Sequence, residues 1–432
     1  MQKKDVGLAF ARITRCGMKK NKHTNQRRSK LSVLRQLCNF IPPFLTTKLA
    51  RETGVAKRCR TFSAWSHVVA MLYAQLTHSI GLNDLCDSLQ LHSGPLSAIR
   101  GATAPKRNTL SHANSRRDAS LAEGLLWSVL SYLSSLRPDF VGGSRKRALR
   151  RFRRAAHAVD STVIRLVAHC MPWAKHRRRK AAAKLHVRLN LQSLLPQCAV
   201  IKSAAEHDNT RAVEVCAGLQ EGEIVIFDKA YVWFVHLWQL TQRGVFWVSR
   251  PKENLDYRVK RRRIRKAQDK IVRDDEIVLR GPRSKQHYPG VLRRVVVLVT
   301  INGVEQEMVF LTNNLSWSAQ TIADLYGCRW DIEIFFRQIK QTLQLGDFLG
   351  NNQNAVKWQI WTALLLYVLL RFQAFLSGWQ CAFSRLWAVC RSVVWTHIDL
   401  LILLRGYGTA RLRSRLCATA YMGYLPGLEP KC

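Results

Sequence analysis

Ala156-His157-Ala158-Val159-Asp160-Ser161-Thr162-Val163-Ile164 is a run of small and β-branched residues with one acid at its centre. Its alternation and its Val, Thr and Ile content predict a β-strand. The acid is the informative residue, because a carboxylate removed from water needs a compensating partner. Four more short apolar or alternating runs follow, at 185–191, 198–201, 224–227 and 245–248. A turn containing Pro196 separates the first two of these, and 211–219 has a helical pattern.

Three strands in a meander, a crossover helix, then further strands and helices predict an α/β sheet of ribonuclease-H type. The 224–227 run ends in a second acid, in Ile224-Val225-Ile226-Phe227-Asp228-Lys229-Ala230-Tyr231. Two acids placed on predicted strands form a candidate cation site, since a bound cation supplies the partner that burial removes.

Outward from this core the pattern changes. Residues 31–140 read as helical: Trp65, Val68, Val69, Leu72 and Leu76 recur at helical spacing, and Leu82, Leu85 and Leu89 mark a second amphipathic stretch. Within 106–117, Asn108 or Thr109 is expected to cap a short helix whose polar side offers His112, Asn114, Arg116 and Arg117 to DNA or to solvent. Between 251 and 318 the chain leans to β-structure, with 295–301 and 304–311 flanking the type I′ hairpin signal Asn302-Gly303. From Ala319 to about Leu404 it is helical again. The uncharged stretch 360–370, closed by Lys357 and Arg371, reads as a core helix too short to span a bilayer. The expected organisation is a basic leader at 1–30, a helical N-terminal DNA-binding region at 31–150, and a catalytic domain at 151–350. A β-rich insertion at about 251–318 interrupts that domain, and a helical C-terminal region follows at 351–432.

Charge points to the partner. The 432 residues include 69 Lys and Arg against 28 Asp and Glu, a formal net charge of +41 with pI near 10.6. Such a surface repels itself unless it meets a polyanion, and nucleic acid is the commonest one. Thirteen Trp and a 47% hydrophobic content argue against a basic ribosomal extension. Residues 145–188 carry fifteen Lys and Arg and one acid, including Arg177-Arg178-Arg179-Lys180, and 258–273 carry nine with one Asp. Both runs suit phosphate tracking. Trp233, Trp247 and Trp317 are candidates for stacking on an unpaired base. The twelve cysteines form no CxxC pair, which excludes zinc-finger spacing and fits a reduced cytosolic chain. The N-terminus lacks the apolar segment of a secretory signal.

A third acid lies in Tyr326-Gly327-Cys328-Arg329-Trp330-Asp331-Ile332-Glu333-Ile334-Phe335-Phe336-Arg337-Gln338-Ile339-Lys340. On a helix advancing roughly 100° per residue, Tyr326, Arg329, Glu333 and Lys340 fall within about 60° of one another. Leu325, Ile332, Phe335, Phe336, Ile339 and Leu343 occupy the adjoining sector and are expected to pack on the sheet. An Arg329–Glu333 salt bridge explains part of the polar face but neither Tyr326 nor Lys340.

The spacing Tyr-x2-Arg-x3-Glu-x6-Lys resembles the signature of the bacterial insertion-sequence-4 group of DDE transposases. Other segments resemble the same family: Thr61-Phe62-Ser63-Ala64-Trp65 through Tyr73-Ala74-Gln75-Leu76-Thr77, Ser111-His112-Ala113-Asn114, Ala158-Val159-Asp160-Ser161-Thr162, Lys184-Leu185-His186, Phe227-Asp228-Lys229-Ala230-Tyr231, Phe310-Leu311-Thr312-Asn313-Asn314 and Asn354-Ala355-Val356-Lys357. Together they span about residues 30–375.

The resemblance implies that Asp160, Asp228 and Glu333 are the catalytic metal ligands and that Tyr326, Arg329 and Lys340 contact DNA phosphates. It implies two Mg²⁺ ions, with Mn²⁺ able to substitute, driving in-line phosphoryl transfer. The expected partners are double-stranded DNA, as element ends and as target, and a second copy of the chain in a synaptic homodimer. No membrane partner is expected, and the expected location is the bacterial cytoplasm, in association with the nucleoid. Arg116, Arg117, Arg177, Arg178 and Arg179 are further expected DNA contacts. Two alternatives belong to other classes: a catalytically silent DNA-binding derivative, and a ribonuclease-H-fold nuclease that cuts without joining.

Overall fold

The computed structural model describes residues 28–406 except 59–60, 143–146, 167–169, 178–179, 205–207, 265–269, 302, 344 and 346. Most of the basic leader, Arg178, Arg179, Asn302 of the hairpin signal and the segment 407–432 therefore lie outside the described residues.

Among the described residues, ten strands form one sheet: β1 (Ala156–Leu166), β2 (Lys175–Arg177), β3 (Lys180–Asn190), β4 (Pro196–Ser203), β5 (Ile224–Phe227), β6 (Phe246–Ser249), β7 (Tyr257–Arg262), β8 (Ile271–Leu279), β9 (Leu292–Ile301) and β10 (Val304–Thr312). Their order is β3-β1-β5-β6-β10-β9-β8-β7, with β2 and β4 both on the outer edge of β3. β1 runs antiparallel to β3 and parallel to β5, and β5 runs parallel to β6. The helices Asp208–Cys216 and Phe234–Gln242 lead from β4 to β5 and from β5 to β6.

β5 shows why these segments are strands. All four of its residues are buried, and they alternate between two cores. Ile224 and Ile226 join Ala156, Ala158, Val187 and Leu189 on one face. Val225 and Phe227 join Val159, Ala212, Val215, Leu237 and Leu240 on the other. Opposite faces for successive residues are the geometry of an extended chain, and covering both faces requires a continuous apolar run.

The β-rich block extends the same sheet. β10 pairs with β6 through Thr312 and Val248, and β10, β9, β8 and β7 continue as an antiparallel meander. Gly303, at φ +80°, turns β9 back into β10, a conformation in which a side chain is strained. An ion pair invisible to sequence patterning fixes β8 against β9. Arg293 donates from Nε to Asp274 Oδ1 at 2.8 Å and from Nη2 to Oδ2 at 2.7 Å, with both residues buried.

The N-terminal and C-terminal helices share the first core. Its centre is the helix Gln353–Ser377, capped by Asn352, which accepts from the Ala355 N–H, and closed by Gly378 in the left-handed region. By length and composition this helix is long and apolar enough to cross a membrane, well beyond the 360–370 stretch read from the sequence. Here 78% of its most apolar window is buried inside the protein, against the helices Ala64–Thr77, Ser120–Leu136 and Leu400–Gly406. The two ends of the described chain meet: Ser29, Val33 and Leu34 donate backbone hydrogen bonds to His397, Thr396 and Val394.

Candidate active site

Strand register brings the first two acids together. Val159 on β1 pairs with Phe227 on β5, and Asp160 and Asp228 are the residues that follow. Neighbouring strands lie about 4.8 Å apart, so the two acids are lateral neighbours. By the same alternation Asp160 shares a face with Ala158, and Asp228 shares one with Ile226, the side covered by the first core. Asp228 caps the short 3₁₀ turn Lys229–Tyr231 by accepting from the Lys229 N–H at 2.7 Å. His186, opposite Ser161 on β3, bonds from Nδ1 with the Tyr231 hydroxyl at 3.1 Å and so braces that turn.

The third acid arrives on the helix Trp330–Arg337, which packs against β1. The signature stretch is not the single α-helix expected. The helix Ala319–Gly327 ends first, and the Arg329, Asp331 and Ile332 N–H groups bond three residues back, to Tyr326, Cys328 and Arg329. After Arg337 the chain widens into a π-helical turn, Gln338–Thr342. These segments carry about 3.0 residues per turn in one place and more than 3.6 in the other, so a uniform 100° wheel misplaces the far residue. The packing sector holds regardless: Leu325, Ile332, Phe335, Phe336, Ile339 and Leu343 are all buried.

Arg329 joins two of the acids. Its Nη1 donates to Asp160 Oδ2 at 3.2 Å and its Nη2 to Glu333 Oε1 at 2.5 Å. Its guanidinium also lies 5.6 Å from the centre of the Tyr326 ring. Burial is the main influence holding the Asp160 carboxyl up at about 6. The Ser161 N–H and Arg329 pull it down, while the charges of Asp228 and Glu333 push it up. Burial opposes the Arg329 charge, yet Tyr326, Asp160 and Glu333 hold its pKa above the ordinary value.

Of the other signature residues, Tyr326 sits differently from expectation. Tyr326 is 7% exposed, with its ring 4.8 Å from that of Phe310, and burial foremost pushes its hydroxyl up to about 12. It backs Arg329 from inside and does not stand out on a polar face. Lys340, in the π-helical turn, donates to the Val163 carbonyl oxygen at 3.3 Å, three residues along β1 from Asp160. That places it roughly 10 Å along the strand from the acid. Burial, followed by Arg165, lowers its pKa.

The helix Arg107–Arg116 corrects the expected DNA-facing face. Its N-cap is Lys106, with no side-chain cap bond, so neither Asn108 nor Thr109 caps it. Asn114 is buried, 2.8 Å from His67 Nε2. Arg117 is buried too; its guanidinium donates to the Phe62 and Ser63 carbonyls and lies over the Phe62 ring. Both residues are internal because this helix packs on Gln353–Ser377, where Asn354 Nδ2 donates to the Asn114 and Arg117 carbonyls. His112 and Arg116 stay exposed. Arg177 closes β2 at the edge of β3. Of the tryptophans, Trp247 is core and Trp233 is 40% exposed. Sequence reasoning also missed the joints built by Asn313 and Asn314. Asn313 bonds to Trp247, Thr241 and Val245, and Asn314 to Ser316 and Trp317.

The donor set suits a hard divalent cation, being three carboxylates. The Arg329 guanidinium is a stand-in cation already held by two of them. Among the described residues no three such groups stand in position to hold one ion as placed.

Residues 152–369, which include all three acids, match a family model described as the transposase DDE domain. Residues 29–99 match a model described as a domain of unknown function. A putative transposase, y4zB, of Sinorhizobium fredii is 34% identical over 282 residues, 63% of this chain and 73% of its own length. The probable transposase for insertion sequence element IS5377 of Geobacillus stearothermophilus is 32% identical, across 52% of this chain and 58% of its own. Transposase InsG for insertion sequence element IS4 of Escherichia coli is 24% identical, across 57% of each.

Proposed function

The chain belongs to the DDE transposase family, and we propose that Asp160, Asp228 and Glu333 are the carboxylates with which it cleaves element ends and joins them to target DNA. It is a transposase of the insertion-sequence kind, an enzyme acting on DNA. One observation carries the residue assignment: Asp160 on β1 has Asp228, at the end of β5, as its lateral neighbour and shares the Arg329 guanidinium with Glu333 of the helix Trp330–Arg337. Pure DNA binding does not require three carboxylates beside a phosphate backbone. The strand order β4-β3-β1-β5-β6, with its one antiparallel-to-parallel switch at β1, supports a ribonuclease-H-like core, with β7–β10 as the insertion.

The family implies a divalent metal. Asp160, Asp228 and Glu333 would hold it, as two Mg²⁺ ions for which Mn²⁺ can substitute. When bound, such ions activate the attacking oxygen and neutralise charge on the leaving oxygen. The chain's own cations position the substrate. Arg329 can grip a phosphate with two parallel hydrogen bonds, and Lys340 adds a point charge farther along β1. In cleavage a water oxygen bonds to phosphorus while the bond to the 3′ oxygen breaks, leaving a 3′-OH. In joining, the oxygen of that hydroxyl bonds to a phosphorus of target DNA while the target's own bond to its 3′ oxygen breaks, freeing a target 3′-OH. Exposed Arg116 and the edge strand β7, with Arg258, Lys260, Arg261 and Arg262 exposed, extend the phosphate-binding surface. Synapsis of two ends implies a homodimer, which would act on the nucleoid in the bacterial cytoplasm.

The test is incubation with Mg²⁺, DNA carrying the gene's own flanking ends and a plasmid target. The expected products are cleaved ends and plasmid joints. Cleavage without joints would identify a nuclease, and binding without cleavage a silent derivative; either result would overturn the reading.

A further inference from the structure

The position of Arg329 has a consequence for how the site is loaded. Its guanidinium occupies the place between Asp160 and Glu333, at 3.2 and 2.5 Å. A divalent ion bound by the same oxygens cannot share that space. The side chain is also incompletely satisfied there: Arg329 Nε is buried without a hydrogen-bond partner. Arg329 heads the helix Trp330–Arg337 at a break in the helical bonding, where the chain is not held by a regular turn on both sides. A phosphodiester offers the same planar fork two charge-assisted bonds in exchange for the two it makes now.

We propose that Arg329 is a place-holding cation that keeps Asp160 and Glu333 paired until DNA arrives. A phosphate draws the guanidinium off the acids and thereby opens them to the metal. Metal and DNA then bind with positive coupling, and the coupling is reciprocal, because each favours the same position of Arg329. The device keeps a cutting site unloaded in the DNA-free protein. The inference rests on the assignment of the acids as metal ligands.

The experiment is a Mn²⁺ titration of the full chain, with free Mn²⁺ read by electron paramagnetic resonance. It compares wild type, Arg329→Gln and Arg329→Gln/Asp160→Asn, each with and without a duplex bearing the element end. Without DNA, Arg329→Gln should bind Mn²⁺ more tightly than wild type, by a factor on the order of 5 to 150, the usual range of coupling between sites. The duplex should raise wild-type affinity by a similar factor and that of Arg329→Gln little. Subtracting the Mn²⁺ held by the duplex together with the single variant Asp160→Asn isolates the protein site. If Arg329→Gln binds no more tightly than wild type, yet Asp160→Asn lowers its affinity, the place-holder idea fails and the ligand assignment stands. If Asp160→Asn changes nothing in the Arg329→Gln background, the ligand assignment itself fails. Circular dichroism and thermal melts verify folding. Should Arg329→Gln not fold, the wild-type arm decides, and a Mn²⁺ affinity unchanged by the duplex overturns the proposal.

Discussion

Val159 on β1 and Phe227 on β5 are the last paired residues of two parallel strands, and an acid follows each of them directly. A register slip of one residue would turn Asp160 away from Asp228 and towards the second core, because successive side chains point to opposite faces. Under the proposed assignment, catalysis is therefore tied to a pairing of two buried apolar residues. Replacing Asp160 or Asp228 with Asn, or Glu333 with Gln, should abolish strand cleavage while end binding persists in a mobility-shift assay. Asn at 228 retains a cap for the Lys229–Tyr231 turn, so folding should survive. Near-normal nicking by the Glu333→Gln protein with Mg²⁺ would refute the assignment.

The two sides of the Trp330–Thr342 stretch should respond differently. Phe335 is 1% exposed and stands edge-on to Tyr367 at 5.0 Å. Phe335→Ala should cost about 3–5 kcal/mol of stability, as large-to-small core changes do. Lys340→Ala should leave the melting curve nearly unchanged and reduce cleavage and end-complex stability. Early melting of Lys340→Ala together with a stable but inactive Phe335→Ala would reverse the two roles.

Breaking the Arg293–Asp274 pair should be costly. Both groups are buried, and removing one leaves an uncompensated charge. Asp274→Ala should destabilise the protein by about 3–5 kcal/mol. The double change Arg293→Met/Asp274→Leu should recover much of that loss, since an apolar pair of similar volume carries no desolvation penalty. Denaturant unfolding of the single and double variants measures both values.

Acid should weaken the fold through buried histidines. Burial, aided by Arg117, holds His67 down at about 3, and burial with Arg243 holds His236 at about 4. Their folded pKa values lie below the unfolded one, so the unfolded chain takes up protons first as pH falls. Stability is then full above about 6.5 and is lost on acidification towards 4. Between pH 7 and 5 each group should remove about 2 kcal/mol. Thermal melts across this range should show a steep decline that His236→Phe makes shallower. A melting temperature constant from pH 7 to 5 would contradict both assignments.

Affinity for non-specific duplex should fall steeply with salt, because neutralised phosphates release counterions. Changing Arg258, Lys260 and Arg261 on β7 to Gln should flatten the dependence of log K on log salt, by up to about 0.9 for each phosphate that is no longer neutralised. An unchanged slope would remove β7 from the interface.

The sequence by itself determined the strands around Asp160 and Asp228, the helices and the hairpin before Val304. These depend on local periodicity and turn chemistry, which a chain carries in its order of residues. It also marked the acids, since a carboxylate within an apolar strand is legible without coordinates. Only the tertiary structure decided which cations face outward. Asn114 and Arg117 turn inward because Gln353–Ser377, more than two hundred residues later, covers their side of the helix. Arg329 turns to Asp160, 169 residues away in sequence, from the junction between two helices. Lys340 reaches the Val163 carbonyl on β1 from a π-helical turn that local spacing does not announce. In each case the deciding partner is distant in the chain or the helix is not uniform, and neither fact is written in local spacing.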